Sequence, residues 1–552
     1  MSNKLILIKN GTLVSKDHNS EIKDILVEGD RIKKIESNII DNENWQIIDA
    51  KGKIVSPGFI NIHSHADSYF TVKEHFKLFE PMLLQGITTE LGGNCGLSIF
   101  PITGKNIESF NNYINLLVYR KIDYEWGGYK EYKEFIKGNI LMNIANLVGC
   151  GALRVNVAGF EKNLTQEQLN EMDNLLIQAL DEGCFGLSSG LIYMPGTFST
   201  TEELIRLAKV AKKRNPDALY ATHMRGYSEN LIYSLKEAIE VGEKTGIKVE
   251  CSHLGPEAPK FNDRVYEVIE LIDNARKRGI DIAYDSLSYP NGCTTVMVIF
   301  PPWSYENGID KFLKDLKNES FFKKMIEYMN TYVPKWPSWE GDGWTDNYIN
   351  TVGWENMFVL GSRNKELFGK SFIQIARERK EDIYLTVRDV MIEENADINL
   401  YFRGPRGAVS FEDDEDLKYF DMLVESKLSH VAVDALFSKD GGITYTPYMY
   451  GAFPRIISRY VKKKKTLTLK DAIERFTSNT ADRIGIKKRG YLREGYFADI
   501  VVFDYDNYID YPAILKEQKY TTGVEYLLIN GRLSIEKGKI NNLNAGYVIS
   551  SQ

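Results

Sequence analysis

Cysteine and histidine are scarce in this chain, which has five cysteines and seven histidines among 552 residues. The cysteines are Cys95, Cys150, Cys184, Cys251 and Cys293. They form no C-x-x-C pair and no even-numbered set, which argues against a secreted fold stabilised by disulfides. We therefore expect reduced thiols and a cytoplasmic protein.

Long apolar runs and strong blocks of one charge are also missing. No stretch approaches the roughly 18 apolar residues of a membrane-spanning helix. The N-terminal run Leu5–Ile8 is too short for the apolar centre of a signal peptide. The 69 Lys and Arg residues are nearly balanced by 76 Asp and Glu residues, for a formal net charge of −7. We expect neither a membrane nor a nucleic acid as partner, whereas homo-oligomer formation stays open.

Short β-strands are predicted at both ends of the chain. Near the N-terminus they are Leu5–Lys9, Asp24–Val27, Arg31–Glu36 and Lys53–Ser56, with a turn at Asn10-Gly11. Near the C-terminus they are Asp499–Phe503, Glu525–Asn530 and Arg532–Ile535, with a hairpin turn at Asn530-Gly531. We therefore expect residues 1–57 and 485–552 to form one small β-sandwich domain from both termini.

Strands and helices alternate through the middle of the chain. The predicted helices include Thr165–Glu182, with Thr165 and Gln168 as a capping box, one opened by Thr200 and Glu203, and Ser228–Lys244, closed by Gly246. The predicted strands are Phe59–His63, Thr88–Leu91, Asn143–Gly149, Phe185–Ser189, Leu219–His223, Lys248–His253, Asp281–Asp285 and Val431–Asp434. Strands separated by helices pair in parallel through right-handed crossovers. Eight such units favour a closed (β/α)8, TIM-like barrel of the α/β class over residues 58–484.

Residues 291–356 interrupt this alternation between barrel units seven and eight. Five of the seven tryptophans of the chain fall there, namely Trp303, Trp336, Trp339, Trp344 and Trp354. One interpretation is a self-packed insertion or an oligomer contact. The other is a lid that shapes the substrate pocket, because long ordered insertions in compact domains are often functional.

Four of the seven histidines lie at the ends of predicted barrel strands. His63 and His65 alternate at the end of the first strand, so both imidazoles project the same way. His223 and His253 end two later strands, at the barrel face that carries active sites. A single histidine there is more often an ordinary polar residue, but four together predict a transition-metal centre.

Cys95 and Asp434 follow the second and eighth predicted strands. Taken alone, Cys95 would be a small buried apolar residue and Asp434 a helix N-cap. Beside four histidines, Cys95 is predicted to be a thiolate ligand, because a cation lowers the pKa of a thiol. Asp434 is predicted to take a proton from water and to pass it to a leaving nitrogen.

These residues resemble a known family, the amidohydrolase superfamily of metal-dependent hydrolases, and within it the N-acyl-D-amino-acid deacylase (D-aminoacylase) group. The resemblance runs along essentially the whole chain. The stretches that carry it are the Pro57–His65 segment, Gly93-Asn94-Cys95-Gly96, the Tyr220–Arg225 segment, the Gly451–Arg455 segment and the Gly495–Asp504 segment.

The resemblance implies a role for each matching position. It implies zinc, as one or two ions, held by His63, His65, Cys95, His223 and His253. Cys95 matches the cysteine that replaces the carboxylated lysine of other members. A hydroxide activated by the metal is then the nucleophile, and Asp434 matches the catalytic general acid/base.

Two departures from the group concern substrate recognition. A position that is usually Lys is Gly255, and one that is usually Tyr is Leu287. Those two side chains typically bind the α-carboxylate of an acyl amino acid. We therefore expect retained chemistry with altered substrate recognition, and Arg225, Tyr289 and Arg455 are the candidates for substrate contacts.

Three functional hypotheses follow. The leading one is hydrolysis of a linear amide, a carbon–nitrogen bond other than a peptide bond, in a small molecule. The second is a cyclic amide hydrolase of the hydantoinase or dihydroorotase kind, although Phe185–Ser189 lacks the lysine that those enzymes use. The third is a non-catalytic amidohydrolase-like scaffold, which the full set of histidines and Asp434 argues against.

Overall fold

The computed structural model of the protein describes residues 5–72, 75–118, 122, 124–402, 411–435, 446–513 and 519–551. Its strands in chain order are β1 Leu5–Val14, β2 Asn19–Glu28, β3 Arg31–Glu36, β4 Gln46–Asp49, β5 Ile54–Pro57, β6 Phe59–Asn61, β7 Ile87–Gly92, β8 Asn143–Asn146, β9 Val148–Gly149, β10 Gly186–Gly190, β11 Leu219–His223, β12 Lys248–Cys251, β13 Ile282–Leu287, β14 Gly292–Thr295, β15 Met357–Gly361, β16 Asn399–Phe402, β17 Ser429–Ala432, β18 Ile500–Phe503, β19 Val524–Ile529, β20 Arg532–Glu536 and β21 Lys539–Ile540.

The α-helices, also in chain order, are α1 Ala66–Tyr69, α2 His75–Leu84, α3 Ile107–Val118, α4 Tyr129–Ile136, α5 Cys150–Ala158, α6 Gln166–Asp181, α7 Thr201–Arg214, α8 Leu231–Thr245, α9 Val265–Lys277, α10 Ile309–Asp315, α11 Glu319–Thr331, α12 Tyr348–Thr351, α13 Phe372–Arg379, α14 Ile383–Glu393, α15 Asp414–Glu425, α16 Pro447–Arg455, α17 Leu469–Phe476 and α18 Ser478–Ile484. A π-helical stretch, Ile456–Lys463, follows α16. No helix in the described part of the chain is long and apolar enough to cross a bilayer.

Strands from both chain ends pair in one nine-stranded sheet, in the order β21-β20-β19-β18-β5-β1-β2-β3 with β4 beside β1. The two ends meet where β5 runs antiparallel to β18. Apolar side chains from both ends are buried together there, among them Val55, Ile500 and Leu528. The pairing of the two termini therefore rests on a shared apolar core, while the domain boundaries at 57 and 485 stay a prediction.

The turn predicted at Asn10-Gly11 is wrong, because both residues lie inside the long strand β1. The pairing of β1 with β2 shifts register between Ile8 and Gly11, and Asn10 has a φ of 59°. A β-carbon on Gly11 would lie 2.4 Å from Val55 Cγ2. The Asn-Gly pair therefore makes a β-bulge that lets β5 pack closely against β1.

The strands of the two central sheets are all parallel to the strands they pair with. One sheet has the order β6-β7-β8 and the other β9-β10-β11-β12-β13-β17. Backbone hydrogen bonds also connect the two sheets: Phe185 N–H donates to Asn146 O at 2.9 Å, and Asp434 N–H donates to His63 O at 3.0 Å. With β8 and β9 counted as one interrupted strand, eight strands follow one another as an α/β fold.

Local helix signals are confirmed where the side chain that caps the helix is near in sequence. Thr165 caps α6 and forms the predicted capping box with Gln168, and Thr200 caps α7. Gly246 ends α8 in the left-handed conformation that favours glycine. The predicted start of α8 at Ser228 is wrong, since the helix begins at Leu231.

The segment predicted as an insertion at residues 291–356 extends further along the chain than expected. Its strand β14 pairs antiparallel with β16, which in turn pairs with β15. The insertion therefore continues through residue 402. Its aromatic residues pack largely on one another, since Trp344 stacks on Tyr332 at 5.4 Å and Tyr348 stacks on Phe402 at 4.9 Å.

Candidate metal centre and substrate pocket

The six residues proposed for the metal and the chemistry all lie at the carboxyl ends of parallel strands. Only His223 is the last residue of its strand; the others follow theirs by two to four residues. They are His63 and His65 after β6, Cys95 after β7, His223 in β11, His253 after β12 and Asp434 after β17. The five metal-ligand candidates are at least nine-tenths buried, and the side chain of Asp434 is 12% exposed.

Two groups of potential ligand atoms share His63. The first consists of His63, Cys95 and His253, and the second of His63, His65 and Asp434; within each group the ligand atoms lie within 4.8 Å of one another. His63 Nε2 is 3.2 Å from Cys95 Sγ, and it is 3.5 Å from Asp434 Oδ1. The two groups together could hold one cation or two neighbouring cations.

His223 lies beside the first group. Its Nδ1 is 3.7 Å from Cys95 Sγ, and its ring centroid is 4.5 Å from that of His253. Its Nε2 is buried and has no hydrogen-bond partner among the described residues. A buried imidazole nitrogen without a partner is costly, so this atom fits a metal ligand.

Three of these residues have left-handed backbone conformations. The φ angles are 53° at Cys95, 36° at His253 and 44° at Asp434. Such angles are uncommon outside glycine and cost about 1–3 kcal/mol each, and they concentrate at functional sites. His253 and Asp434 were predicted inside strands, which is wrong: each strand ends two residues earlier, and the chain then turns its side chain toward the centre.

Asp285, in strand β13, holds two of the histidines in place. Its Oδ2 lies 3.1 Å from His63 Nδ1, and its Oδ1 accepts a hydrogen bond from His253 N–H at 2.7 Å. A carboxylate on the far nitrogen of a metal-binding imidazole fixes the orientation of its ring.

Asn61 and Glu90 form a clamp beneath the centre that sequence reasoning missed. Asn61 Oδ1 accepts from His63 N–H at 3.3 Å and from Val433 N–H at 3.0 Å. Asn61 Nδ2 donates to Glu90 Oε2 at 2.6 Å. The clamp ties three strands together directly below His63 and Asp434. No local pattern predicts it, because its partners are distant in sequence.

The charges of the site suit a metal cation. Burial alone would raise the pKa of Cys95, but His63 and hydrogen bonds from His223 and His253 lower it well below its usual range. Burial would lower the pKa of His63. The Cys95 thiolate and the carboxylates of Asp434 and Asp285 nevertheless raise it well above its usual range. Burial and the neighbouring His253 lower the pKa of His223 to about 4. A thiolate with imidazoles and a carboxylate is a donor set that zinc-like ions prefer.

A pocket opens directly above these residues. The space inside it, with the solvent at its opening included, is about 590 Å³. Its lining residues are His65, Cys95, Ile192, Tyr193, His223, His253, Glu257, Leu287, Asn291, Gly292, Cys293, Thr294, Tyr348, Phe402 and Asp434. Several of them belong to the insertion, so that segment forms a wall of the pocket. No Lys or Arg is among these described lining residues.

Arg225 is engaged elsewhere, although it was predicted to contact the substrate. All five of its N–H donors have acceptors: the two carboxylate oxygens of Glu237, the carbonyls of Thr197 and Ser199, and Ser338 Oγ, at 2.7–3.4 Å. The guanidinium also lies 4.4 Å from the ring centroid of Trp339. With no donor left over, Arg225 ties the insertion to helix α8 rather than facing substrate.

Tyr289 and Arg455, the other two predicted substrate contacts, also have protein partners. Tyr289 Oη donates to Asp510 Oδ2 at 2.8 Å, and Arg455 donates to Glu412 Oε1 at 2.7 Å. Neither is among the described residues that line the pocket. The residues that do line it beyond the metal centre, such as Tyr193 and Asn291, carried no sequence signal, since they lie in loops and an insertion.

Comparison with known proteins now identifies the family. The family model of the amidohydrolases matches residues 46–219 and 433–535, just over half of the chain. The chain belongs to the amidohydrolase family. The matched ranges contain His63, His65, Cys95 and Asp434, whereas His223, His253 and the insertion lie outside them.

This amidohydrolase is 25% identical to a D-aminoacylase of Alcaligenes xylosoxydans xylosoxydans over 556 residues, covering 99% of this chain and 97% of the relative. The solved N-acyl-D-glutamate deacylase of Bordetella bronchiseptica, complexed with zinc and a phosphonate inhibitor, matches it with a TM-score of 0.78, 24% identity and full coverage of both chains. A D-hydantoinase from a Bacillus species gives a TM-score of 0.53 at 14% identity, covering 99% of each chain. The resemblance to D-aminoacylases is thus shown, the fold is the α/β fold of these enzymes, and the protein is an amidohydrolase enzyme.

Proposed function

We propose that this amidohydrolase uses zinc, as one or two ions, to hydrolyse a linear amide bond of a small molecule in the manner of a D-aminoacylase. We propose with it that the eight parallel strands close into a (β/α)8 barrel. The observation that carries the proposal is the pair of ligand groups that share His63, with Asp434 at their edge. The likeness of the whole chain to a D-aminoacylase supports the same reaction.

The residues that would hold the metal are His63, His65, Cys95, His223 and His253. A bound divalent ion supplies Lewis acidity, which polarises an amide carbonyl and makes water more acidic. The protein holds the donors for it in place through Asp285 and through Asn61, so little rearrangement is needed on binding.

Asp434 is suited to move the proton. Burial alone would raise the pKa of Asp434, but His63 and His65 lower it below its usual range. The carboxylate is therefore ionised at neutral pH and can accept a proton from the attacking water. Its Oδ1 is 3.5 Å from Nε2 of both histidines, and it lines the pocket, where it can deliver that proton to the leaving nitrogen.

The pocket supports altered substrate recognition. Leu287 lines the pocket where the group usually has a tyrosine, and Gly255, in place of the usual lysine, contributes no side chain. No Lys or Arg is among the described lining residues, so none of these side chains offers a positive charge to a free α-carboxylate. We therefore propose a substrate that lacks this carboxylate beside the scissile bond.

Cyclic amide hydrolysis is the alternative, favoured by the same lack of a carboxylate clamp. The resemblance in fold to a D-hydantoinase leaves room for it. Strand β10, with the sequence Gly-Leu-Ser-Ser-Gly, offers no lysine to a metal, which weakens this second candidate.

The proposal is tested by metal analysis together with a product screen. We expect one or two zinc ions per chain and release of an acid and an amine from linear amides, but no ring opening of hydantoins or dihydropyrimidines. Cys95→Ser should lose metal and turnover, whereas Cys184→Ser, at a buried thiol away from the site, should keep both. Less than a tenth of an ion per chain after purification would instead favour a non-catalytic scaffold.

A further inference from the structure

The pocket above the metal centre is lined by several polar residues that the proposed reaction does not use. They are Tyr193, Glu257, Asn291, Thr294 and Tyr348. Tyr193 Oη and Thr294 Oγ1 are 3.0 Å apart and share a hydrogen bond. The phenol of Tyr348 hydrogen-bonds to Glu257. Four of the five side chains are therefore engaged with one another, and Asn291 differs from them.

Asn291 has a buried side chain that no described protein group meets. The residue is 0% exposed, and neither its Oδ1 nor its Nδ2 has a hydrogen-bond partner among the described residues. Asn156, which is 2% exposed, shows the usual case. Its Nδ2 donates to Pro101 O at 2.7 Å and to Ala152 O at 2.8 Å, and its Oδ1 accepts from Thr103 N–H at 2.9 Å. Buried amides are nearly always hydrogen-bonded, so an open amide in the wall of a pocket indicates a ligand group.

The backbone holds Asn291 in place where the chain leaves strand β13 and enters the insertion. Asn291 N–H donates to Tyr289 O at 2.9 Å. The next residue, Gly292, begins strand β14 and pairs with Phe402. Leu287, at the end of β13, also lines the pocket. An amide on a backbone fixed in this way can discriminate between substrate groups by their geometry.

An amide side chain offers an acceptor oxygen and a donor NH2 group side by side. Because a bound substrate excludes water, the substrate group beside Asn291 has to supply an acceptor and a donor together. A carboxylate or a ketone only accepts, and an ammonium group only donates. A hydroxyl does both through one atom, which cannot align well with both ends of the amide. A primary carboxamide presents its N–H and C=O in matching positions.

We infer that the substrate carries a primary carboxamide beyond the scissile bond, and that Asn291 pairs with it through both ends of its side chain. This inference rests on the proposed amide hydrolysis and names its substrate class, N-acyl amines with a neutral carboxamide, such as N-acyl amino acid amides. As the acyl carbon–nitrogen bond breaks, water adds a hydroxyl to the carbon and a proton to the nitrogen. The products are a carboxylic acid and an amine that keeps its carboxamide.

The test compares three compounds of matched shape in the zinc-loaded enzyme: N-acetylglycinamide, N-acetylglycine, and acetamidoacetone, in which a methyl group replaces the carboxamide nitrogen. Homologues with one and two more methylene groups place the carboxamide at different depths. At the best length, kcat/KM for acetate release should be at least tenfold higher for the carboxamide than for the ketone or the acid. An unmet hydrogen bond to a buried group costs about that factor or more.

This ranking in the unmodified protein needs no variant. A ketone or an acid cleaved as well as the carboxamide would overturn the inference and leave amide hydrolysis intact. Release of ammonia in place of acetate would overturn it as well, because the carboxamide itself would then be the scissile bond.

Asn291→Leu tests whether the preference belongs to this side chain. Leucine has a similar volume but cannot hydrogen-bond. The variant should lower kcat/KM for the carboxamide by tenfold or more and for the ketone by less than threefold. An unchanged preference for the carboxamide in this variant would overturn the assignment to Asn291.

Urea unfolding of the substrate-free protein separates ligand binding from a structural role. Asn291→Leu should leave the unfolding midpoint unchanged or raise it, because no described protein group loses a partner. Asn156→Leu is the matched control and should lower the midpoint, because its backbone partners lose their hydrogen bonds. A midpoint lowered as far in Asn291→Leu as in Asn156→Leu would show a structural role and overturn the inference.

Calorimetric binding of the same compounds to zinc-loaded Asp434→Asn protein distinguishes the two proposals. Selective, Asn291-dependent binding of a carboxamide, without acetate release by the unmodified enzyme, would overturn the proposed hydrolysis and support the inference about the pocket. Equal binding of carboxamide and ketone, or no measurable binding of any carboxamide in the series, would overturn the inference, whatever the turnover.

Discussion

Replacing Arg225 by methionine tests whether this arginine supports the structure or binds substrate. The guanidinium is 0% exposed and pairs with both oxygens of Glu237, which is 4% exposed. After the replacement, Glu237 keeps only the hydrogen bond from Thr201 Oγ1 at 2.9 Å among these contacts. The carbonyls of Thr197 and Ser199 lose their donors as well.

The expected loss in free energy of unfolding follows from the burial of this ion pair. Removing one partner of a buried ion pair leaves an uncompensated charge and costs about 3–5 kcal/mol. We therefore expect Arg225→Met to lower the free energy of unfolding by about that amount. The double variant Arg225→Met/Glu237→Leu removes both charges and should recover about 2 kcal/mol of the loss, since contacting residues are coupled by about 0.5–3 kcal/mol.

The assay is urea unfolding followed by tryptophan fluorescence, with Arg206→Met as the matched control. Arg206 pairs with Asp173 near the surface, where an ion pair is worth less than about 1 kcal/mol. Kinetics complete the test: where the variant is folded, kcat/KM should change by similar factors for amide substrates with and without a free carboxylate. An unshifted unfolding midpoint with selective loss of carboxylate substrates would refute the structural role.

Three further predictions concern the metal centre. Asp434→Asn should lower kcat by about 10²–10⁴-fold while the zinc content measured by atomic spectroscopy stays unchanged; loss of metal would instead make Asp434 a ligand. Asn61→Ala should destabilise the fold by about 2–4 kcal/mol in chemical denaturation, because His63 N–H, Val433 N–H and Glu90 lose buried partners. A change below about 0.5 kcal/mol, the size expected for a surface substitution, would show that Asn61 does not hold these strands together. Burial raises the pKa of Glu90 from 4.5 to about 8, so its contribution to stability is complete below pH 4.5 and lost as the pH rises to 8. In metal-free protein, the stability difference between wild type and Glu90→Gln should therefore fall by about 1.4 kcal/mol per pH unit across that window, and a pH-independent difference would contradict it.

The strand and helix pattern was largely predictable, because its signals are local. The capping box of Thr165 and Gln168 involves residues three apart, and the strand Leu219–His223 is a short apolar run; both are found where predicted. The predictions were wrong where contacts between residues distant in sequence determine the local backbone conformation. Asn10-Gly11 makes a bulge rather than a turn because β5 packs against Gly11, and no feature of the sequence beside it shows that contact.

The candidate site likewise combines features that local sequence predicts with features that depend on distant residues. His63 and His65 alternate along the chain, so their common direction follows from strand geometry alone. Arg225 looked like a substrate-binding cation because its motif resembles the family. Its acceptors lie up to 113 residues away, at Ser338, and only their positions in the fold show that all five donors are used.

The sequence by itself determined which residues to expect at the candidate metal centre, since histidines at strand ends and the Gly-Gly-Asn-Cys-Gly stretch are local patterns with few meanings. It also determined the alternating α/β order, because periodicity and capping act over a few residues. Only the tertiary structure decided which side chains line the pocket. Glu257, Asn291 and Tyr348 reach it from separate loops and the insertion. Whether a polar side chain faces a ligand or another residue depends on packing between segments that are distant in sequence.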